Sequence, residues 1–244
     1  MFPGSLTALR GTTVVDVTIE TTGQDATPGG APEPGAPVSL LPVDGGGTVT
    51  GEVTLWSSSP GGAVVTSRVR LPSVAAGALR GQRVWVSARS DDALVVFQAV
   101  AQGVDHHQDQ LELTGVTRLA TEPRRSSLRA DISRPVLLVR DNAPSRGTTS
   151  LDLSAGGVRV RVPEGKQLTP GDRLDAAVAD ERGGTVWARS EVVRVDGDEA
   201  ALRFVEVDAA DRDRIDHDVY RWYSDRAAEQ AESQVPTPRS QDED

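Results

Sequence analysis

Residues Thr13 to Glu20 alternate apolar and polar side chains, the signature of a strand with one face on a core. Similar short segments recur at 49–55, 63–71, 83–88, 93–101 and 110–114. Turn-formers separate them: Ser-Pro-Gly-Gly at 59–62, the Gly77 to Gly81 region, Ser90-Asp91-Asp92 and residues 105–109. A second series follows at 135–139, 151–154, 158–162, 173–178, 186–195 and 200–205. Its breaks are Ala155-Gly156-Gly157, Pro170-Gly171-Asp172, Gly183-Gly184 and Asp196-Gly197-Asp198. Short strands at regular spacing with Gly, Ser and Asp turns predict an all-β sandwich or barrel for the first series. In the second, with no crossover helix between the strands, a closed antiparallel barrel is expected over a parallel sheet. Trp56 and Trp85 read as core or hairpin aromatics.

After Asp208 the period changes. Ile215, Val219, Trp222 and Tyr223 fall at i, i+4, i+7 and i+8, which predicts an amphipathic helix that seals a barrel. Thr21 to Pro37 is dense in Gly, Pro and Thr and reads as a mobile loop, and the Pro-containing acidic end reads as disordered. The expectation is an all-β chain of two β-barrel domains with a C-terminal α-helix. The first domain spans 1–121, with its flexible segment near 21–37. The second spans 122–232, including an arginine linker and the helix, and 233–244 is a disordered acidic tail.

Composition narrows the function classes. The chain has no Cys, which removes disulfides and thiolate metal sites and fits a reducing compartment. Met1 to Ser5 lack the basic and apolar regions of a secretory signal, and no apolar run nears the roughly 18 residues that span a bilayer. A soluble, cytoplasmic protein without membrane insertion is expected. The net charge of −10 disfavours nucleic-acid binding, which rests on accumulated cations. Charge is uneven, however. Between Thr121 and Ser150, six Arg face Glu122, Asp131 and Asp141, so that window is +3; from Glu206 onward twelve acidic residues face five Arg, giving −7. A basic connector in an acidic chain suits a small anionic ligand. Lys166 is the only lysine, so an arginine cluster is less surprising here than in an average chain. Asp105-His106-His107-Gln108-Asp109 has no third ligand at a matching spacing and reads as a hairpin turn, so no metal site is expected. Scarce His and carboxylates without catalytic spacing leave no catalytic residues to name.

Two polar clusters carry the candidate chemistry. Arg124, Arg125 and Arg129 lie in an irregular, mobile connector, and their planar forks can engage phosphate or guanine O6 and N7 bidentately. Further on, strand alternation places Leu151 and Leu153 on the core and Asp152 and Ser154 on the other face. The carboxylate can accept from guanine N1–H and N2–H, and the hydroxyl can donate to phosphate or base. Gly156 and Gly157 permit a positive-φ turn and close backbone approach. Arg159 and Arg161 alternate with Val158, Val160 and Val162, as second contacts or as solvated side chains.

The order Arg-x-x-x-Arg, some twenty residues, then Asp-x-Ser-x-x-Gly resembles the PilZ domain, the cyclic di-GMP receptor family. Arg125 and Arg129 fit the first part, with Arg124 as an extra preceding Arg; Asp152, Ser154 and Gly157 fit the second. The resemblance covers about Glu122 to Ala228. The two-domain layout is similar to the flagellar-brake branch, in which an N-terminal split barrel precedes the PilZ barrel. It implies a non-enzymatic cyclic di-GMP receptor without cofactor, whose ligand contacts are Arg124, Arg125, Arg129, Asp152, Ser154, Gly156 and Gly157. It further implies an interdomain change on binding and a protein target such as the flagellar motor or stator. The alternative within the family is a nucleotide-independent adaptor; an enzyme or an RNA-binding barrel are the rivals outside it.

Overall fold

The computed structural model describes residues 31–58, 64–90, 93–105, 110–123, 125–140, 145–162 and 168–233. The expected strand at 13–20, most of the Gly/Pro-rich segment, the turn at 106–109, Arg124 and the acidic tail lie outside them.

The described chain forms two closed six-stranded antiparallel barrels followed by one long helix. The first contains β1 (Pro37–Pro42), β2 (Val49–Ser58), β3 (Val64–Arg70), β4 (Arg83–Ser90), β5 (Ala93–Asp105) and β6 (Gln110–Pro123), in the order β1-β2-β3-β6-β5-β4. Pairing of β1 with β4 closes it. The second contains β7 (Pro135–Val139), β8 (Arg146–Ser154), β9 (Gly157–Arg161), β10 (Arg173–Ala179), β11 (Thr185–Asp196) and β12 (Glu199–Val207), in the order β10-β11-β12-β9-β8-β7. Here β7 pairs with β10.

Two elements depart from the pattern-based reading. Strand β1 is bounded by two prolines, and Pro37 sits at its exposed start, where a missing N–H costs little. The short helix α1 (Ser73–Leu79) contains Gly77, which made the stretch read as a turn; Ala76 and Leu79 bury against the first core.

The first barrel is filled by Val38, Leu40, Val53, Val69, Val84, Val86, Val95, Phe97 and Leu111. Strands β4 and β5 are buried on both faces. Their outward residues Trp85, Leu94 and Val96 join a second apolar cluster that continues through the C-terminal helix α2 (Ala209–Ser233) into the second barrel. Strands buried on both sides read as continuous apolar runs rather than alternation, as Ala93 to Phe97 do.

The predicted stripe on α2 is present, with Ile215 and Val219 fully buried and Trp222 and Tyr223 partly so. A second buried face went unread in the sequence. His217 and Tyr220 meet Trp85 edge-on, at ring-centroid distances of 5.0 and 5.9 Å. Trp85 Nε1 donates to Ser224 Oγ at 2.8 Å, and Thr48 donates twice to the Asp213 carboxylate, at 2.9 and 2.6 Å. The helix therefore seals the second barrel and also clamps it to the outer wall of the first.

Candidate functional site

Strand β6 runs to Pro123, so the arginine stretch continues directly from the last strand of the first barrel. The stretch is irregular, as expected, but its second half is pinned. Leu128 is buried in the core, and Ala130 exchanges two backbone hydrogen bonds with Leu153 of β8, at 3.0 and 2.9 Å. Arg129 projects between these anchors, and its carbonyl accepts from Tyr223 Oη of α2 at 2.9 Å. Arg125 keeps an exposed guanidinium, paired with Glu122 at 3.0 Å, and its carbonyl accepts from Arg89 of the first barrel at 3.5 Å.

The second cluster departs from simple alternation. A bulge between Ser150 and Asp152 leaves Leu151 without a cross-strand partner and only half-buried. Leu151 is thus not a core residue. Ser150 takes the inward position, bonding Ile132 O and Arg134 N, while Leu153 returns to the core. Past the bulge Asp152 stands beside Arg159 of β9, its register partner.

Gly156 and Gly157 correct another expectation, since neither has a positive φ. The half of that reading which holds is close backbone approach. A Cβ on Gly157 would lie 2.2 Å from Leu202 O of β12, so only glycine lets β9 and β12 pair here. On the turn, Gly156 O accepts from Phe204 N at 3.0 Å, and Ala155 O accepts from Arg212 of α2 at 3.1 Å. Ser154 Oγ donates to Gly157 O at 3.2 Å, which closes the hairpin and leaves the oxygen's lone pairs free.

The two clusters meet. Arg125, Arg129, Asp152, Ser154, Gly156 and Gly157 line one open cavity of about 390 Å³. Asp152 is 5% exposed and carries two guanidinium groups, Arg159 Nε on Oδ2 at 2.6 Å and Arg129 Nε near Oδ1 at 3.7 Å. Burying a carboxylate is costly unless it is paired in this way.

Residues 123–221 match the PilZ domain. The second barrel is a PilZ domain. No curated protein matches the sequence. Among solved structures, the chain is similar to the inhibitor of motility MotI/DgrA of Bacillus subtilis, at 16% identity over 79% of this chain and 98% of that one, with a TM-score of 0.38. YcgR of Escherichia coli in complex with c-di-GMP aligns at 14% identity over 82% of this chain and 89% of that one, with a TM-score of 0.39.

Other walls of the PilZ cavity were not anticipated. Ser126 and Ser127 come from the arginine stretch, and Val193, Ala201 and Arg203 come from β11 and β12. Arg203 lies opposite Gly157 in register, an adjacency between strands distant in sequence. Arg159 and Arg161 separate into different roles. Arg159 bridges Asp152 and Glu199, at 2.6 and 2.8 Å, whereas exposed Arg161 only meets Asp198 at 3.4 Å. Hydrogen bonding to Asp152 first, and to Glu199 second, holds the Arg159 guanidinium above the ordinary arginine range.

A second cavity of about 240 Å³ lies between Gly45–Gly47 of the first barrel, the β10–β11 hairpin and α2. Beside it, Glu181, His217 and Asp218 bring ligand atoms within 4.8 Å of one another. Arg221, Arg182 and Arg134 lie against those three side chains in turn, so the group is a charge network at a domain junction. Burial holds His217 below the ordinary imidazole range, against the raising effect of its bond to Val43 O.

Proposed function

We propose that this protein is a receptor for cyclic di-GMP that binds the nucleotide without turning it over. The observation that carries the reading is the single cavity formed by the arginine stretch and the Asp152–Gly157 hairpin within a PilZ barrel. The solved YcgR complex, a similar fold with c-di-GMP bound, suggests the ligand. Arg125 and Arg129 grip phosphate and base edge, Asp152 accepts from guanine N1–H and N2–H, and Ser154, Gly156 and Gly157 admit the ring. Arg124 adds a third cation to the stretch. No cofactor takes part.

Before binding, Arg129 faces the Asp152 oxygen that guanine would use. Binding exchanges that contact for two better ones and turns Arg129 toward phosphate. The same segment is tied to the first barrel through β6 and Arg89, and to α2 through Tyr223. A ligand that moves it biases the arrangement of the two barrels, by as much as its affinity differs between arrangements. The output is control of motility or a related surface-lifestyle trait in the cytoplasm, through a protein target such as the flagellar motor or stator.

Titration calorimetry with cyclic di-GMP tests the site. Arg125→Ala and Arg129→Ala should each lose about 1.5–3 kcal/mol, roughly tenfold or more in affinity, while melting as the wild type does. Equal affinity in both variants would remove the site. Spin-label distances across the barrels should change on adding nucleotide, and the nucleotide should be recovered intact after incubation.

A further inference from the structure

We infer that Arg159, backed by Glu199, sets the base preference of the cavity by fixing the Asp152 carboxylate; this rests on the receptor reading above. The Leu151 bulge puts Asp152 level with Arg159 on adjacent strands. Arg159 Nε donates to Asp152 Oδ2 at 2.6 Å, and Arg159 Nη1 donates to Glu199 Oε2 at 2.8 Å. With two donors of one planar group committed to two carboxylates on opposite sides, the guanidinium plane is fixed. The carboxylate it holds is fixed in turn, with one lone pair of Oδ2 taken by Arg159 and the rest of the group left to accept from the cavity, where Arg129 now stands near Oδ1.

A carboxylate fixed between two guanidinium groups offers acceptors to the cavity. Guanine presents two adjacent donors on its N1–H and N2–H edge and satisfies them. Adenine presents a ring-nitrogen acceptor at the equivalent place and leaves two lone pairs opposed. Discrimination of this kind depends on the site being unable to rotate away from the wrong base. Without Arg159 the carboxylate can turn toward Arg129 and form a pair that withdraws both groups from the ligand. Arg159 is therefore a positioning residue, and Glu199 is the post that keeps it in place. Sequence spacing alone does not reveal it, because the contact joins three strands.

The test measures cyclic di-GMP and cyclic di-AMP by calorimetry on the full chain, with melting curves alongside. Arg159→Ala should weaken cyclic di-GMP roughly tenfold or more and leave cyclic di-AMP nearly unchanged, so that the preference collapses. Arg159→Lys, which keeps the charge but not the fork, should also lose preference, and Glu199→Gln should lose less. If Arg159 acts through Asp152, Arg159→Ala should cost nothing further in an Asp152→Asn background. A preference that survives Arg159→Ala, or losses that add in the double variant, would overturn the inference and leave the receptor reading standing. Should Arg159→Ala fail to fold, Glu199→Gln decides, since an unchanged preference there also overturns it. A wild type that binds neither nucleotide removes the receptor reading itself, and this inference with it.

Discussion

The two barrels share strand number and closure, but they bury different chemistry. Among the described residues, the first barrel's buried polar side chains are Ser67 and Ser90, each donating to a backbone carbonyl. The second barrel and its helix bury Asp152, His217 and Asp218, together with Ser150, Ser154 and Ser190. A buried hydroxyl needs one partner, whereas a buried carboxylate needs cations and several hydrogen bonds. The arginines of the second half are therefore part of its fold as well as of its surface. The contrast locates the chemistry: one barrel is a wall, and the other holds charge in tension against it.

The contrast can be broken most severely at the clamp. Trp85→Ala empties the space between the first barrel and α2 and removes the bond to Ser224, at a cost of about 3–5 kcal/mol. Calorimetry should then show two unfolding transitions where the wild type shows one. Next come two equivalent glycines. A Cβ on Gly51 would meet Arg70 O at 2.2 Å, as one on Gly157 would meet Leu202 O. Either change to Ala should destabilise its barrel by about 2–4 kcal/mol, read from denaturant midpoints. Only Gly157→Ala should also reduce nucleotide binding, as measured by titration.

A smaller effect sharpens the chemical difference. Asp152→Asn should weaken cyclic di-GMP by about 1.5–3 kcal/mol, while Ser67→Ala in the first barrel should leave binding unchanged. The last is a pH effect. The half-buried Asp216 carboxyl on α2 is pushed up to about 7, by burial first and the Asp213 carboxylate second, with Arg212 opposing. An unfolded aspartate titrates near about 3.9, so the folded chain holds this proton more tightly. Stability from this group is full below that value and is lost as pH rises through about 7. Asp216→Asn should melt above the wild type at pH 8, and the gap should shrink toward pH 5.

Much of this architecture was legible because barrels are built from local signals. Turn residues Gly171, Gly183 and Gly197 all adopt positive φ; Gly183 and Gly197 close the β10–β11 and β11–β12 hairpins where the pattern placed them, and Gly171 turns the chain into β10. The amphipathic stripe on α2 was equally plain. What escaped was non-local. Nothing near Trp85 announces that a helix well over a hundred residues later will cover it, although the unbroken apolar run at Ala93 to Phe97 was a sign of burial on both faces. The Leu151 bulge escaped too, because alternation is read one strand at a time while a bulge is defined by its partner. At the candidate site, the motif residues were legible as a linear pattern. Arg159 was legible only as a second contact or a solvated side chain. Choosing between the two, and finding Arg203 at all, needed the strand order, since what brings them to the cavity is pairing across β8, β9 and β12.

Closure of both barrels has a consequence for how this chain meets other proteins. Every described strand has a hydrogen-bonded neighbour on each side along part of its length, so open main-chain edge is left at strand ends such as β6 beyond Leu113, which pairs with β5 alone. Most of the described surface therefore offers a partner side chains on curved walls, loops and the flank of the helix. Selectivity in such a contact rests on surface shape and charge, and main-chain templating is confined to those short strand ends.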